Sequence, residues 1–173
     1  MPNHTIFNER PESQDRALKV IEKLGYTIVP RSEAEKKRGS RRAVLFTEEL
    51  QSFLSHQTYQ FGTEERYFSG GSIAKAMQTM DQFSAAGLYA ENKTIYELLC
   101  AGKSMEEDLP DGTRQSFDLS FIDFEHPENN TFQVTDEFEV ERPNGKFVRP
   151  DLVVLVNGIP LVVIECKKSS VDV

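Results

Sequence analysis

A chain of 173 residues with 38% hydrophobic and 28% charged residues is long enough for one domain with a substantial core, and its composition excludes disordered, collagen-like and disulfide-built classes. No apolar run approaches the ~18 residues that a membrane span requires, so no membrane association is expected. The net charge of −8 is uneven: residues 1–45 hold 10 Lys/Arg against 6 Asp/Glu, leaving 10 against 22 in the rest.

Met1 to Glu9 has neither a charged n-region nor an apolar h-region, which predicts a cytoplasmic protein without a secretory signal. Residues 11–24 read as an amphipathic helix with Ala17, Leu18, Ile21 and Leu24 on one face and Gly25 as its stop. Glu12 and Asp15 fall in the first turn, where carboxylates favour the helix dipole. Tyr26 to Val29 is a short strand closed by Pro30. Lys36-Lys37-Arg38 and Arg41-Arg42 form a basic cluster, either a solvated face or a phosphate-contacting patch. The acidic total argues against strong nucleic-acid binding by this chain alone.

From about 45 to 102 the periods are helical, near Thr47 to Leu54, Ser72 to Phe83 and Thr94 to Cys100, with Ser72 as an N-cap. Residues 102–114 read as a polar link. Cys100 and Cys166 stand 66 residues apart with no metal-ligand spacing, which argues against a zinc site and for reduced thiols. From about 115 to 168 the pattern turns to alternation. Thr131 to Glu141, Phe147 to Val156 and Ile159 to Lys168 form an antiparallel meander of about three strands, turned at Pro143-Asn144-Gly145 and Asn157-Gly158.

The last hairpin carries Pro150-Asp151 and, 14 residues beyond the aspartate, Glu165-Cys166-Lys167. Charged groups in such apolar strands require a reason, and two carboxylates that share a divalent ion supply one. A nearby ammonium completes the parts for phosphodiester hydrolysis. The same charges can equally be solvated strand ends. Register separates these readings, because Asp151 joins Glu165 and Lys167 on one face only if paired positions sum to an even number. A two-residue Asn157-Gly158 loop pairs Val156 with Ile159 and fails this condition. A three-residue loop with Gly158 in the left-handed region meets it.

Beyond the residue chemistry, the segments Thr94 to Lys103, Phe121 to Phe132 and Val148 to Lys167 resemble the N-terminal nuclease domain of type I restriction enzyme R (HsdR) subunits. The Arg-Pro-Asp segment, the Asn-Gly-x-Pro turn and the closing Glu-x-Lys carry the likeness. It implies an α/β fold of the PD-(D/E)xK class, a helix plus a mostly antiparallel strand meander, here with an inserted helical segment. Residues 1–173 would be one nuclease domain that continues, in the family, into a further helix and strand. The resemblance implies Mg²⁺-dependent cleavage of double-stranded DNA. Asp151 and Glu165 would be metal ligands, Lys167 the catalytic lysine, and the Cys166 carbonyl a further ligand. An acidic residue from the first helix is added in many members, with Glu12 the candidate and Asp15 the second choice. Arg149 is left between a DNA phosphate and Glu141.

The implied partners are double-stranded DNA and the methylation (M) and specificity (S) subunits. ATP and S-adenosylmethionine would act only through regions beyond the chain or through those subunits, since no Gly-x-x-x-x-Gly-Lys-Ser/Thr loop occurs here. The alternative reading is a non-catalytic docking module for the translocase or methyltransferase, using the acidic surface and the basic 36–42 segment.

Overall fold

The computed structural model describes residues 12–81, 88–142 and 144–167. Helix α1 (Glu12–Lys23) and strand β1 (Thr27–Val29) lead into helix α2 (Arg31–Arg38). Helix α3 (Thr47–Ser55), the hairpin of β2 (Thr58–Phe61) and β3 (Glu64–Tyr67), helices α4 (Gly70–Asp81) and α5 (Leu88–Ala101), and the hairpin of β4 (Lys103–Asp108) and β5 (Arg114–Leu119) make up the middle. Strands β6 (Phe132–Asp136), β7 (Val140–Glu141), β8 (Phe147–Val148), β9 (Leu152–Val156) and β10 (Ile159–Ile164) follow. The described chain is therefore mixed α/β.

The main sheet has the order β1-β6-β9-β10, with β1 parallel to β6 and the remaining neighbours antiparallel. The expected meander is thus β6-β9-β10, and β1 adds a parallel edge after the α1 connection. Strand β9 reads Leu-Val-Val-Leu-Val and is buried throughout, as an internal strand covered on both faces must be. Each such side chain contributes roughly 1.5–3 kcal/mol of burial. On one face Leu152 and Val154 pack with Val134 against Leu18 and Ile21 of α1. On the other, Val153 and Leu155 meet Phe46, Phe138 and Ala34 of α2.

A separate cluster joins Leu50 and Leu54 of α3, Ile73, Ala76 and Met80 of α4, Met105, and Leu119 and Phe121. Three expectations are corrected there. Residues 58–67 form a hairpin within the stretch expected to be helical, with Gly62 at φ 63° in its two-residue loop. Strand β4 occupies part of the expected 102–114 link. The cap of α4 is Ser69, whose Oγ accepts from Ser72 N at 3.2 Å while its own N–H and hydroxyl reach buried Glu107. Leu24 lies past the end of α1 and is exposed instead of completing the apolar face. Among the described residues no helix is long and apolar enough to cross a membrane.

Candidate active site

The Asn157-Gly158 turn fixes how β10 returns along β9. Asn157 (φ 51°) and Gly158 (φ 77°) are both left-handed, the requirement of a tight two-residue hairpin loop. Side-chain amide chemistry holds the turn: Asn157 Nδ2 donates to Phe121 O (3.0 Å) and Asn130 Oδ1 (2.8 Å), and its Oδ1 accepts from Thr131 N at 2.8 Å. A Cβ on Gly158 would collide with the carbonyl of Phe46, whose own N–H donates to Gly158 O at 2.9 Å.

This loop has two residues, the alternative that by itself would leave Asp151 on the wrong face. Ile159 pairs with Val156 and Pro160 with Leu155, a sum of 315, and the ladder then shifts so that Val162 pairs with Val154, Val163 with Val153 and Ile164 with Leu152, a sum of 316. One extra residue at Leu161 therefore restores the even parity. Its position has a physical reason, because Pro160 has no N–H to give and β10 is an edge strand, the place where prolines and bulges are tolerated.

The paired ladder ends at Ile164 and Leu152; carried one step further, its register would bring Glu165 opposite Asp151, with Lys167 on the same face by alternation. The backbone N–H of Cys166 donates to Asp151 Oδ2 at 2.6 Å, joining the two segments at this level. Cys166 itself turns to the opposite face and packs beside Ile164 in the α1 cluster. Burial raises its thiol pKa, with the Asp151 and Glu165 charges adding to the effect, so the sulfur stays a thiol. Asp151 is half-buried, and Glu165 and Lys167 are exposed.

Helix α1 reaches the same place through a residue absent from the sequence expectation: buried Gln14 donates from Nε2 to Asp151 O at 3.0 Å. Asp15 is half-buried on α1, and the candidate Glu12 opens the helix with a side chain outside the described residues. Among the described residues no group of three or more His, Cys, Asp or Glu side chains assembles for a metal. The resemblance names two carboxylates, Asp151 and Glu165, with the Cys166 carbonyl, and a set of two carboxylates would suit Mg²⁺, which keeps much of its water shell.

Glu137, also missed, lies beside Asp151. It is held at φ 47°, unusual for a side chain with a Cβ, and its N–H donates to Asp151 O at 2.9 Å. Its carboxylate meets Arg31 Nη1 at 2.8 Å and Arg149 Nη1 at 3.9 Å. Arg149 therefore approaches Glu137, while Glu141 is taken by Arg42 at 2.8 Å. The basic cluster is largely engaged within the chain: Lys37 pairs with Glu49, Arg41 with Glu139, and buried Arg38 sits 4.0 Å over the Phe138 ring and donates to Glu139 O. Burial lowers the Arg38 pKa.

Residues 6–173 match the family model described as type I restriction enzyme R protein N terminus. The chain is 30% identical over 170 residues to a protein of Methanocaldococcus jannaschii named as a type I restriction enzyme MjaIXP endonuclease subunit. It is 27% identical over 167 residues to the type I restriction enzyme HindI endonuclease subunit of Haemophilus influenzae. These alignments cover 95% and 94% of the chain, but only 16% and 15% of the two relatives.

Proposed function

The chain belongs to the type I restriction enzyme R protein N-terminal family, and from that premise we propose that it is the nuclease part of a restriction subunit, cutting double-stranded DNA with Mg²⁺. The observation that carries this reading is the register shift at Leu161: carried one step past its last pair, Ile164 with Leu152, the shifted ladder would bring Asp151, Glu165 and Lys167 to one face of the hairpin end. A PD-(D/E)xK core is the corresponding fold assignment. The helix α1 and the β6-β9-β10 meander support it.

In this reading the Asp151 and Glu165 carboxylates, with the Cys166 carbonyl, hold the ion. When bound, the ion supplies an acidified water and a counter-charge for the phosphate oxygens. Cys166 N–H fixes one oxygen of Asp151, which orients the carboxylate without consuming its other oxygen. Lys167 sets its ammonium against the charge that builds as the water oxygen bonds phosphorus and the ester P–O bond breaks. Gln14 steadies the Asp151 backbone from α1. Methylation and specificity subunits, and motor functions that use ATP, belong to the whole enzyme in this proposal. The reading as a docking module is less supported, since the basic segment it relies on is mostly paired inside the chain.

Calorimetric titration of Mn²⁺ tests the site, comparing the parent with Asp151→Asn and Glu165→Gln, each checked for folding. Binding in the parent that both substitutions remove is expected. A folded parent that takes up no Mn²⁺, or binding indifferent to both substitutions, would overturn the metal site.

A further inference from the structure

We propose that Arg31 and Arg149, gathered by Glu137, bind a DNA phosphate next to the one served by Asp151 and Glu165. The proposal rests on the nuclease reading and adds substrate-positioning residues to it. Three observations converge. Two guanidinium groups from distant parts of the chain, the start of α2 and the segment before β9, approach a single carboxylate oxygen, Glu137 Oε2. That carboxylate belongs to a residue in a left-handed backbone conformation, hydrogen-bonded directly to the Asp151 carbonyl. Helix α2 packs through Ala34 on Val153 and Leu155, the sheet face that alternation assigns to Asp151.

Neither guanidinium is sealed off. Arg31 is 33% and Arg149 53% exposed, whereas Glu137 is 22% exposed beneath them. Arg31 also gives its Nε to Glu35 within α2, a solvent-facing i,i+4 pair of the kind that yields readily to a stronger anion. Among the described residues Arg149 has no ion pair besides the 3.9 Å approach to Glu137, so most of its five donors are uncommitted. Arg41 and Arg42 differ, since each has a carboxylate of its own in Glu139 and Glu141. The planar donor fork of arginine matches phosphate oxygens, and a shared counter-ion holds two such forks in place before substrate arrives. Glu137 is a positioning residue in this arrangement.

The test measures binding of a fluorescent 20-base-pair duplex to the chain in EDTA across a salt series. Arg31→Gln and Arg149→Gln should each lower the slope of log K against log salt, and the two together by about 0.9, the one phosphate contact they share. Arg66→Gln on β3 should leave the slope unchanged. Glu137→Gln should weaken binding severalfold although it removes a negative charge. If Glu137 acted only as a repelling charge, binding would instead tighten, and that result would remove its positioning role. Unchanged slopes in both arginine variants, or no duplex binding by the folded parent, would overturn the proposal. Arg149→Gln keeps the test open if loss of Arg31 unsettles α2. Mn²⁺ titration of the same variants separates the two readings: a failed phosphate pair leaves Asp151/Glu165 metal binding intact, and a failed metal site leaves the salt slopes readable.

Discussion

Cys166 and Asp151 are tied across the last hairpin by a main-chain to side-chain hydrogen bond of 2.6 Å, beyond the point where the regular ladder stops at Ile164 and Leu152. Asp151 therefore has a structural duty separate from any ligand it holds. Asp151→Ala removes the acceptor, and the Cys166 amide should exchange with deuterium about tenfold faster, corresponding to a bond worth ~1.5 kcal/mol. Asp151→Asn keeps an oxygen acceptor and should retain most of the protection. Exchange measured at that one amide separates loss of geometry from loss of charge.

The buried amide of Asn157 satisfies three groups at once, Phe121 O, Asn130 Oδ1 and Thr131 N. Asn157→Ala removes these bonds from a fully buried position, although Asn130 Oδ1 keeps the Asp123 N–H at 2.9 Å, and should cost about 2–3 kcal/mol in urea unfolding. Gly158→Ala combines a positive φ with a collision at Phe46 O and should cost at least ~1 kcal/mol. A loss under ~0.5 kcal/mol in both variants would show that the turn does not anchor the sheet.

Arg38 is 5% exposed, lies over Phe138 and donates to the carbonyls of Glu139 (2.8 Å) and Ala43 (3.3 Å). Both bonds leave one nitrogen, Nη1, so what lysine cannot reproduce is the planar guanidinium stacked over Phe138, and Arg38→Lys should destabilise by about 1–2 kcal/mol in chemical denaturation despite the retained charge. Equal stability of the two proteins would assign the contact no energetic role.

Asp123 organises the turn that delivers Asn130 to Asn157. Hydrogen bonds from the Asn129 amide and then from the His126 N–H hold its carboxyl below the ordinary value. A depressed native pKa adds stability that is complete above the unfolded value of about 3.9 and is lost as pH falls through the lower native value. The stability difference between the parent and Asp123→Asn should therefore be constant above about pH 5 and shrink below about pH 4. A difference that stays flat to the acid limit would show that the carboxylate does not hold the turn.

Local patterning was enough for α1, whose apolar positions recur at helical spacing, and for β6, β9 and β10, whose β-branched runs end at marked turns. It was not enough for β4, because Lys-Ser-Met-Glu-Glu-Asp has little intrinsic strand preference and becomes a strand by pairing with β5. The β2-β3 hairpin was similarly masked by Glu64-Glu65-Arg66, although the Gly62-Thr63 pair was a turn signal. Thr131 to Glu141 looked like one strand, but Glu137 breaks it with a positive φ, and no residue-type preference announces a left-handed glutamate. The candidate residues Asp151, Glu165 and Lys167 were legible as chemistry, and the register shift that would bring them to a common face was not. Its one available sign was Pro160, since a proline inside an apolar strand implies an edge or a bulge. Gln14 and Glu137 act through contacts made only when distant segments meet, which a linear reading does not contain.

The bulge at Leu161 also gives the hairpin one residue of slack. Loss of any single residue from 161 to 164 can be absorbed by flattening the ladder into the uniform register of the Asn157-Gly158 turn, and Glu165 would still arrive opposite Asp151. An added residue has no such reserve and would turn the glutamate toward α1. The count of residues between the two carboxylates is therefore a poor guide to whether they meet, and a chain one residue shorter with a regular hairpin would build the same face.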